Sequence, residues 1–133
     1  MKELVSREVY CTSADTETRI VLKRMIEKRL SCALINDANR KIVGIVTERD
    51  ILRKLSTLAL DSKLSKPVRT IMSPSVLFVR EAFMWDDIKK LHREKKVRHF
   101  PVVSGNNPQP TTEELVGIVT ITDIARMLLL GDE

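Results

Sequence analysis

Apolar and polar positions alternate at helical spacing between Thr18 and Arg29. Ile20, Val21, Leu22 and Met25 supply one face, and Lys23, Arg24, Glu27 and Lys28 supply the other, which predicts an amphipathic helix. Asp15 or Thr16 stands where a side-chain oxygen would cap its first turn. The short apolar run Cys32-Ala33-Leu34-Ile35 then suits a buried strand, and residues 36–40 (Asn-Asp-Ala-Asn-Arg) suit a turn, because Asn and Asp bond locally to backbone. Residues 41–46 return as the second strand of a hairpin. Thr47-Glu48-Arg49-Asp50 opens a further helix, expected to reach about Leu60, with Thr47 as cap and Asp50 as the acidic residue three positions on.

After a connector at 61–75 that holds Pro67 and Pro74, the same pattern recurs. Val76-Leu77-Phe78-Val79 predicts a strand, and 86–96 a helix with Ile88, Leu91 and His92 facing inward. Phe100-Pro101-Val102-Val103 and 115–119 predict a second hairpin around a longer loop, and Thr120-Ile121-Thr122-Asp123 opens a last helix to about Leu130. Val9–Ile35 aligns with Val76–Val102, and Gly44–Asp50 with Gly117–Asp123; the longer second loop absorbs the difference in offset. The chain thus reads as two repeats, 1–66 and 67–133, of an α/β (α+β) fold. Each half is small for independent stability, which predicts one shared core around a pseudo-two-fold axis. The connections after Ile35 and Val103 are too short for anything but antiparallel hairpins.

Composition narrows the function more than the fold. With 133 residues and 43% apolar content, the chain can bury a core. Aromatics are only 4%, too few for a base-stacking platform. The net charge of +5 resides in residues 1–66, with 14 Lys or Arg against 9 Asp or Glu, while 67–133 balance at 9 against 9. A basic half can attract nucleotides, nucleic acid or an acidic partner. No helix-turn-helix, finger or RNA-binding sheet signature is present, so nucleic acid is disfavoured as a partner. No run approaches 18 apolar residues and residues 1–15 lack a signal core, which argues against a membrane span or secretion. Cys11 and Cys32 then read as reduced thiols of a cytoplasmic protein. With two histidines at these spacings they form no zinc motif, so no metal is expected. His92 reads as a packing residue on a helix face, whereas His99 stands beside Arg98 at a strand entrance. No phosphate loop, dinucleotide fingerprint or acid–base pair is found, so the chain is expected not to be an enzyme and to need no catalytic cofactor.

The strongest local feature is Gly44-Ile45-Val46-Thr47-Glu48-Arg49-Asp50, repeated as Gly117-Ile118-Val119-Thr120-Ile121-Thr122-Asp123. It is a strand that runs straight into a helix. Glycine lets a ligand or another chain segment come close to the backbone. The Thr hydroxyl and the first-turn amides are expected as free donors at a helix start. The Asp can accept hydrogen bonds from two ribose hydroxyls, or it can merely cap the helix.

These two segments, together with Ile71-Met72-Ser73-Pro74 and Val97-Arg98-His99-Phe100-Pro101-Val102-Val103, make the chain resemble the tandem cystathionine-β-synthase (CBS) domain pair, or Bateman module, over about residues 4–130. The resemblance implies two β-α-β-β-α repeats packed through their sheets, with clefts for AMP, ADP, ATP or S-adenosylmethionine. It assigns ribose contacts to Thr47, Asp50, Thr120 and Asp123, and places adenine- and phosphate-adjacent groups at Arg98, His99 and Pro101. The first repeat has Ser31 and Cys32 where the second has Arg98 and His99, and Val5-Ser6-Arg7 where the second has Met-Ser-Pro. On this reading the second signature is the better preserved, and Asp123 should matter more than Asp50. The implied function is a regulatory adenosyl-ligand sensor. It is expected as a homodimer that pairs through Ile51, Leu52, Leu55, Ile124, Met127 and Leu128, and it would act on a separate protein or on its own assembly. The competing function is an interaction module that has lost ligand binding. Ribose and adenine contacts are common to all these ligands and do not choose among them.

Overall fold

Cys32–Asn36 forms strand β2 and Ile42–Thr47 forms β3, paired antiparallel with Ala33 opposite Val46 and Leu34 opposite Ile45. Asp37 builds the turn between them: its Oδ1 accepts the N–H groups of Asn39 and Lys41, each at 2.9 Å. The second hairpin joins β5 (His99–Val103) to β6 (Leu115–Thr120), with Phe100 opposite Val119. Both expected hairpins are therefore present. The structure, a computed structural model, describes residues 5–54 and 60–130.

Each hairpin gains a short parallel strand on its outer side: β1 (Cys11–Ser13) beside β2, and β4 (Val79–Arg80) beside β5. Parallel neighbours need a crossover, supplied by α1 (Thr18–Lys28) and α4 (Trp85–Lys95). A helix leaves each hairpin directly, α2 (Glu48–Lys54) after β3 and α5 (Ile121–Leu130) after β6. Each repeat is thus β-α-β-β-α, in sheets ordered β1-β2-β3 and β4-β5-β6. The connector adds the short helix α3 (Leu60–Leu64) and a 3-10 turn at Val68–Thr70. The expected extension of α2 toward Leu60 crosses 55–59, which lie outside the described residues. Among the described residues no helix is long and apolar enough to cross a membrane.

Two local expectations are corrected, and one short strand goes beyond them. The strand expected at 76–79 pairs only at Val79 and Arg80, because Val76, Leu77 and Phe78 are half-buried without joining the ladder. Strand β1 carries Thr12 and Ser13 and left no apolar pattern to read. Neither Asp15 nor Thr16 caps α1. The cap position is Glu17, which makes no side-chain bond there; the Thr18 amide instead donates to the Lys66 carbonyl at 2.9 Å. Asp15 pairs with Arg69, and the hydroxyls of Thr16 and Thr12 bond each other at 2.8 Å.

The described residues fall into two compact units. One comprises Val9–Val76 with Thr111–Glu113; the other comprises the described residues within Met1–Glu8, Leu77–Pro110 and Glu114–Glu133. In the first, Val21 and Met25 of α1 pack with Ala33, Ile35, Val46, Val68 and Ile71. In the second, Ile88 of α4 and Ile124 of α5 pack with Val79, Phe83, Phe100, Val102 and Val119. The helices of each unit are anchored by that unit's own residues.

Candidate functional site

Both signatures fold into the same closed arrangement. Thr47 donates from its amide (2.9 Å) and its hydroxyl (3.2 Å) to Oδ2 of Asp50, whose amide returns to the Thr47 hydroxyl oxygen at 3.4 Å. Thr120 and Asp123 repeat this at 3.2, 2.8 and 3.1 Å. This is a reciprocal helix cap with Asp as the partner. In each signature both bonds to the carboxylate converge on Oδ2, so among the described residues Oδ1 is left as an acceptor. The Oδ1 of Asp123 has a guanidinium nitrogen of Arg126 at 3.8 Å, a loose pair with Arg126 well exposed. Asp50 is buried at 8% exposure, whereas the side chain of Asp123 is 31% exposed.

The donors expected to be free are mostly engaged. The Thr hydroxyls point at the Asp carboxylates, the Asp amides point back, and the Ile121 amide donates to the Arg98 carbonyl at 3.0 Å.

In the second unit the strand register gathers most of the remaining candidates. His99 is the ladder partner of Thr120, and Arg98, exposed, precedes it with its carbonyl held by Ile121. Pro101 lies buried opposite Ile118, two residues along the strands from the His99–Thr120 pair. In the first unit Cys32 is the ladder partner of Thr47, so Cys32 and Ser31 occupy the places of His99 and Arg98. His92 is half-buried and structural: its Nδ1 lies 2.9 Å from the Val97 carbonyl, tying the end of α4 to the approach of β5.

Burial pushes the Cys32 thiol up to about 12, with Cys11 nearby adding to the effect, and burial also raises Cys11. Neither thiol is poised as a nucleophile. We expect iodoacetamide at pH 8 to leave Cys32 unmodified in the folded chain and to alkylate it in denaturant. The folded state holds the Cys32 proton more tightly than the unfolded chain. The thiol's contribution to stability is therefore complete below the ordinary thiol range of about 8.5. It declines as pH rises toward about 12. Among the described residues no three His, Cys, Asp or Glu side chains gather as a metal site.

Sequence reasoning missed the segments that lie against the signature strands. Ser73 exchanges backbone hydrogen bonds with Ile45, at 2.8 and 2.9 Å, and Ser6 does the same with Ile118, at 2.8 and 2.9 Å. The segment before the second repeat thus serves the first signature, and the segment before the first repeat serves the second. The signature glycines are where these segments come closest. A Cβ on Gly44 would meet the Met72 side chain, and a Cβ on Gly117 would meet the Ser6 carbonyl and the Val5 side chain. The approach that glycine was expected to permit is made by the chain itself. The Met-Ser-Pro motif therefore belongs with Thr47 and Asp50, which removes one of the two reasons for ranking the second signature higher.

A cavity of about 540 Å³ lies between α1 and α2 of the first unit, lined mainly by apolar side chains including Leu22, Met25, Ile51 and Leu52, with Ser31 and Glu48 also on its wall.

Comparison with known proteins accounts for this arrangement. The CBS domain profile matches residues 1–57 and 68–130. An uncharacterized 17.7 kDa protein of Acidianus ambivalens is 30% identical over 129 residues, covering 97% of this chain and 73% of the relative. For most other curated relatives the chain spans less than two thirds of their length. Among solved structures, the CBS domain pair of protein MJ0100 in complex with 5'-methylthioadenosine and S-adenosyl-L-methionine is 25% identical with a TM-score of 0.76, covering 96% of this chain and 93% of that one. CBSX2 in complex with AMP is 26% identical with a TM-score of 0.69, covering 96% and 94%. The chain belongs to the CBS domain family, as a tandem pair of CBS repeats.

Proposed function

We propose that this chain is a regulatory sensor of an adenosyl ligand, with no chemistry of its own. The observation that carries the proposal is the duplicated Thr–Asp arrangement, in which Oδ2 is saturated by Thr and Oδ1 is left to accept a ribose hydroxyl. Thr47, Asp50, Thr120 and Asp123 are the proposed ribose residues, and Arg98 and His99 the proposed neighbours of the adenine and phosphate end. Pro101 is proposed to shape the strand behind them rather than to touch the ligand, since it is buried. Two related pairs are solved with adenosyl ligands, AMP in one and 5'-methylthioadenosine and S-adenosyl-L-methionine in the other, which supports the ligand class. Calorimetry with AMP, ATP and S-adenosylmethionine tests it, at about 0.1 mM chain, roughly ten times a weak sensor's dissociation constant of about 10 μM. Absence of heat with all three would overturn the proposal and favour an interaction module.

We further propose that the sensor is a homodimer. Leu52 on α2 and Leu128 on α5 are 73% and 58% exposed, and the apolar cavity beside Leu52 offers a complementary surface. Ile51 and Ile124, also expected at the interface, pack in their own units' cores instead. Leu55 lies outside the described residues, as does the side chain of Met127. Light scattering should report about twice the chain mass of 15.2 kDa. L52E should shift it toward monomer, and a single-chain mass at every concentration would refute the dimer.

A further inference from the structure

We infer that Lys54 is a positioning residue for the first signature, a role that the second signature fills by other means. The inference rests on the proposed ribose role of Asp50. Helix α2 carries Asp50 in its first turn and is described through Lys54, one turn further on. Its N-terminal end is fixed by the Thr47–Asp50 cap. One turn beyond Asp50, two lysines act in series. The Lys63 ammonium donates to the Lys54 carbonyl at 2.6 Å. The Lys54 ammonium, half-buried, donates to the Met72 carbonyl at 3.3 Å.

The Met72 backbone is a firm anchor. Its amide donates to the Val68 carbonyl at 3.1 Å, and the next residue, Ser73, is hydrogen-bonded in both directions to Ile45. Lys54 therefore ties α2 to the segment that lies beside the strand from which α2 departs. The cap and this tether are referred to the same frame, and the Asp50 carboxylate one turn away is held with it.

The second unit cannot repeat this device. By the offset that aligns Asp50 with Asp123, the position of Lys54 is taken by Met127, a residue with no N–H or O–H donor in its side chain. In helix α5, Ile124, next to Asp123, is 1% exposed in the core. The equivalent Ile51 is only partly buried. Apolar burial positions the second carboxylate, whereas a charge-assisted hydrogen bond positions the first.

The test uses the full chain and the substitutions K54M and K54R. Binding of AMP and of S-adenosylmethionine is titrated in a D123A background, which reads the first signature, and in a D50A background, which reads the second. K54M should weaken the first by about tenfold and leave the second unchanged, and K54R should stay within about threefold of Lys. Amide exchange read in parallel should show faster exchange in α2 with K54M and none in α5. A folded K54M with unchanged affinity at the first signature, or with equal losses at both, overturns the inference. If the unsubstituted chain binds neither probe, it is the sensor proposal that fails. Exchange in α2 then decides the tether alone, and unchanged exchange overturns it.

Discussion

Replacing Gly117 by alanine is expected to lower stability by about 2 kcal/mol, as overpacking of a close contact does. The sign is the opposite of the usual one. Glycine inside a strand normally costs stability, and alanine normally recovers part of it. Gly117 has no positive φ to protect, so its backbone would accept a side chain. The obstacle is the segment across it. A Cβ would meet the Ser6 carbonyl oxygen and the Val5 side chain, and the carbonyl carbon of Ser6 at 3.2 Å. Ser6 is fixed by its paired hydrogen bonds to Ile118, so the backbone must move and those bonds must lengthen. Gly44 provides the control. Its obstacle is chiefly the flexible Met72 side chain, with the Ser73 carbonyl at 3.1 Å. Met72 can change rotamer, so G44A should cost less than about 1 kcal/mol. Urea denaturation of both variants measures the difference. Equal losses would mean that the N-terminal segment does not lie on β6 as described.

That pair of segments also marks where the sequence stopped being legible. The hairpins, α1, α4 and the Thr–Asp turns each rest on contacts within a few dozen residues, and each leaves a local pattern: apolar runs broken by Asn and Asp, or polar and apolar faces at helical spacing. Ser6 and Ile118 lie more than a hundred residues apart, and one bridge between two otherwise unremarkable positions imposes no periodicity. The exchange of leading segments was therefore invisible, and Met-Ser-Pro was assigned to the repeat it precedes rather than to the signature it serves. Strand β1 was missed for a related reason, since it is three residues long and its partner β2 carries the apolar signal. The signature donors were misjudged because an Asp three residues after the Thr can engage the hydroxyl as well as the amide. A capping pattern specifies which residues meet, and not how many donors remain afterwards.

Replacing Asp123 by alanine is expected to reduce adenosyl-ligand affinity at the second signature by about tenfold or more. A charge-assisted hydrogen bond contributes roughly 1.5–3 kcal/mol, and 1.4 kcal/mol corresponds to one decade. The same substitution removes the acceptor of the Thr120 amide and hydroxyl, a capping loss of about 1 kcal/mol. The chain should remain folded, because Asp123 is partly exposed and the hydroxyl of half-buried Thr120 can rotate toward water. Asp50 has the same geometry in a drier place, at 8% exposure. D50A leaves the Thr47 amide and hydroxyl with less access to water, so its stability cost should exceed that of D123A. The two substitutions thus separate binding from stability: D123A should change affinity more than melting temperature, and D50A should change both. The sequence-level ranking, in which Asp50 matters less for binding, now rests only on Ser31 and Cys32 standing where the second unit has Arg98 and His99. Titration of each variant with AMP, alongside thermal melts, decides both points. Full affinity in a folded D123A would make the aspartate a helix cap alone and would remove the second signature from the proposed site.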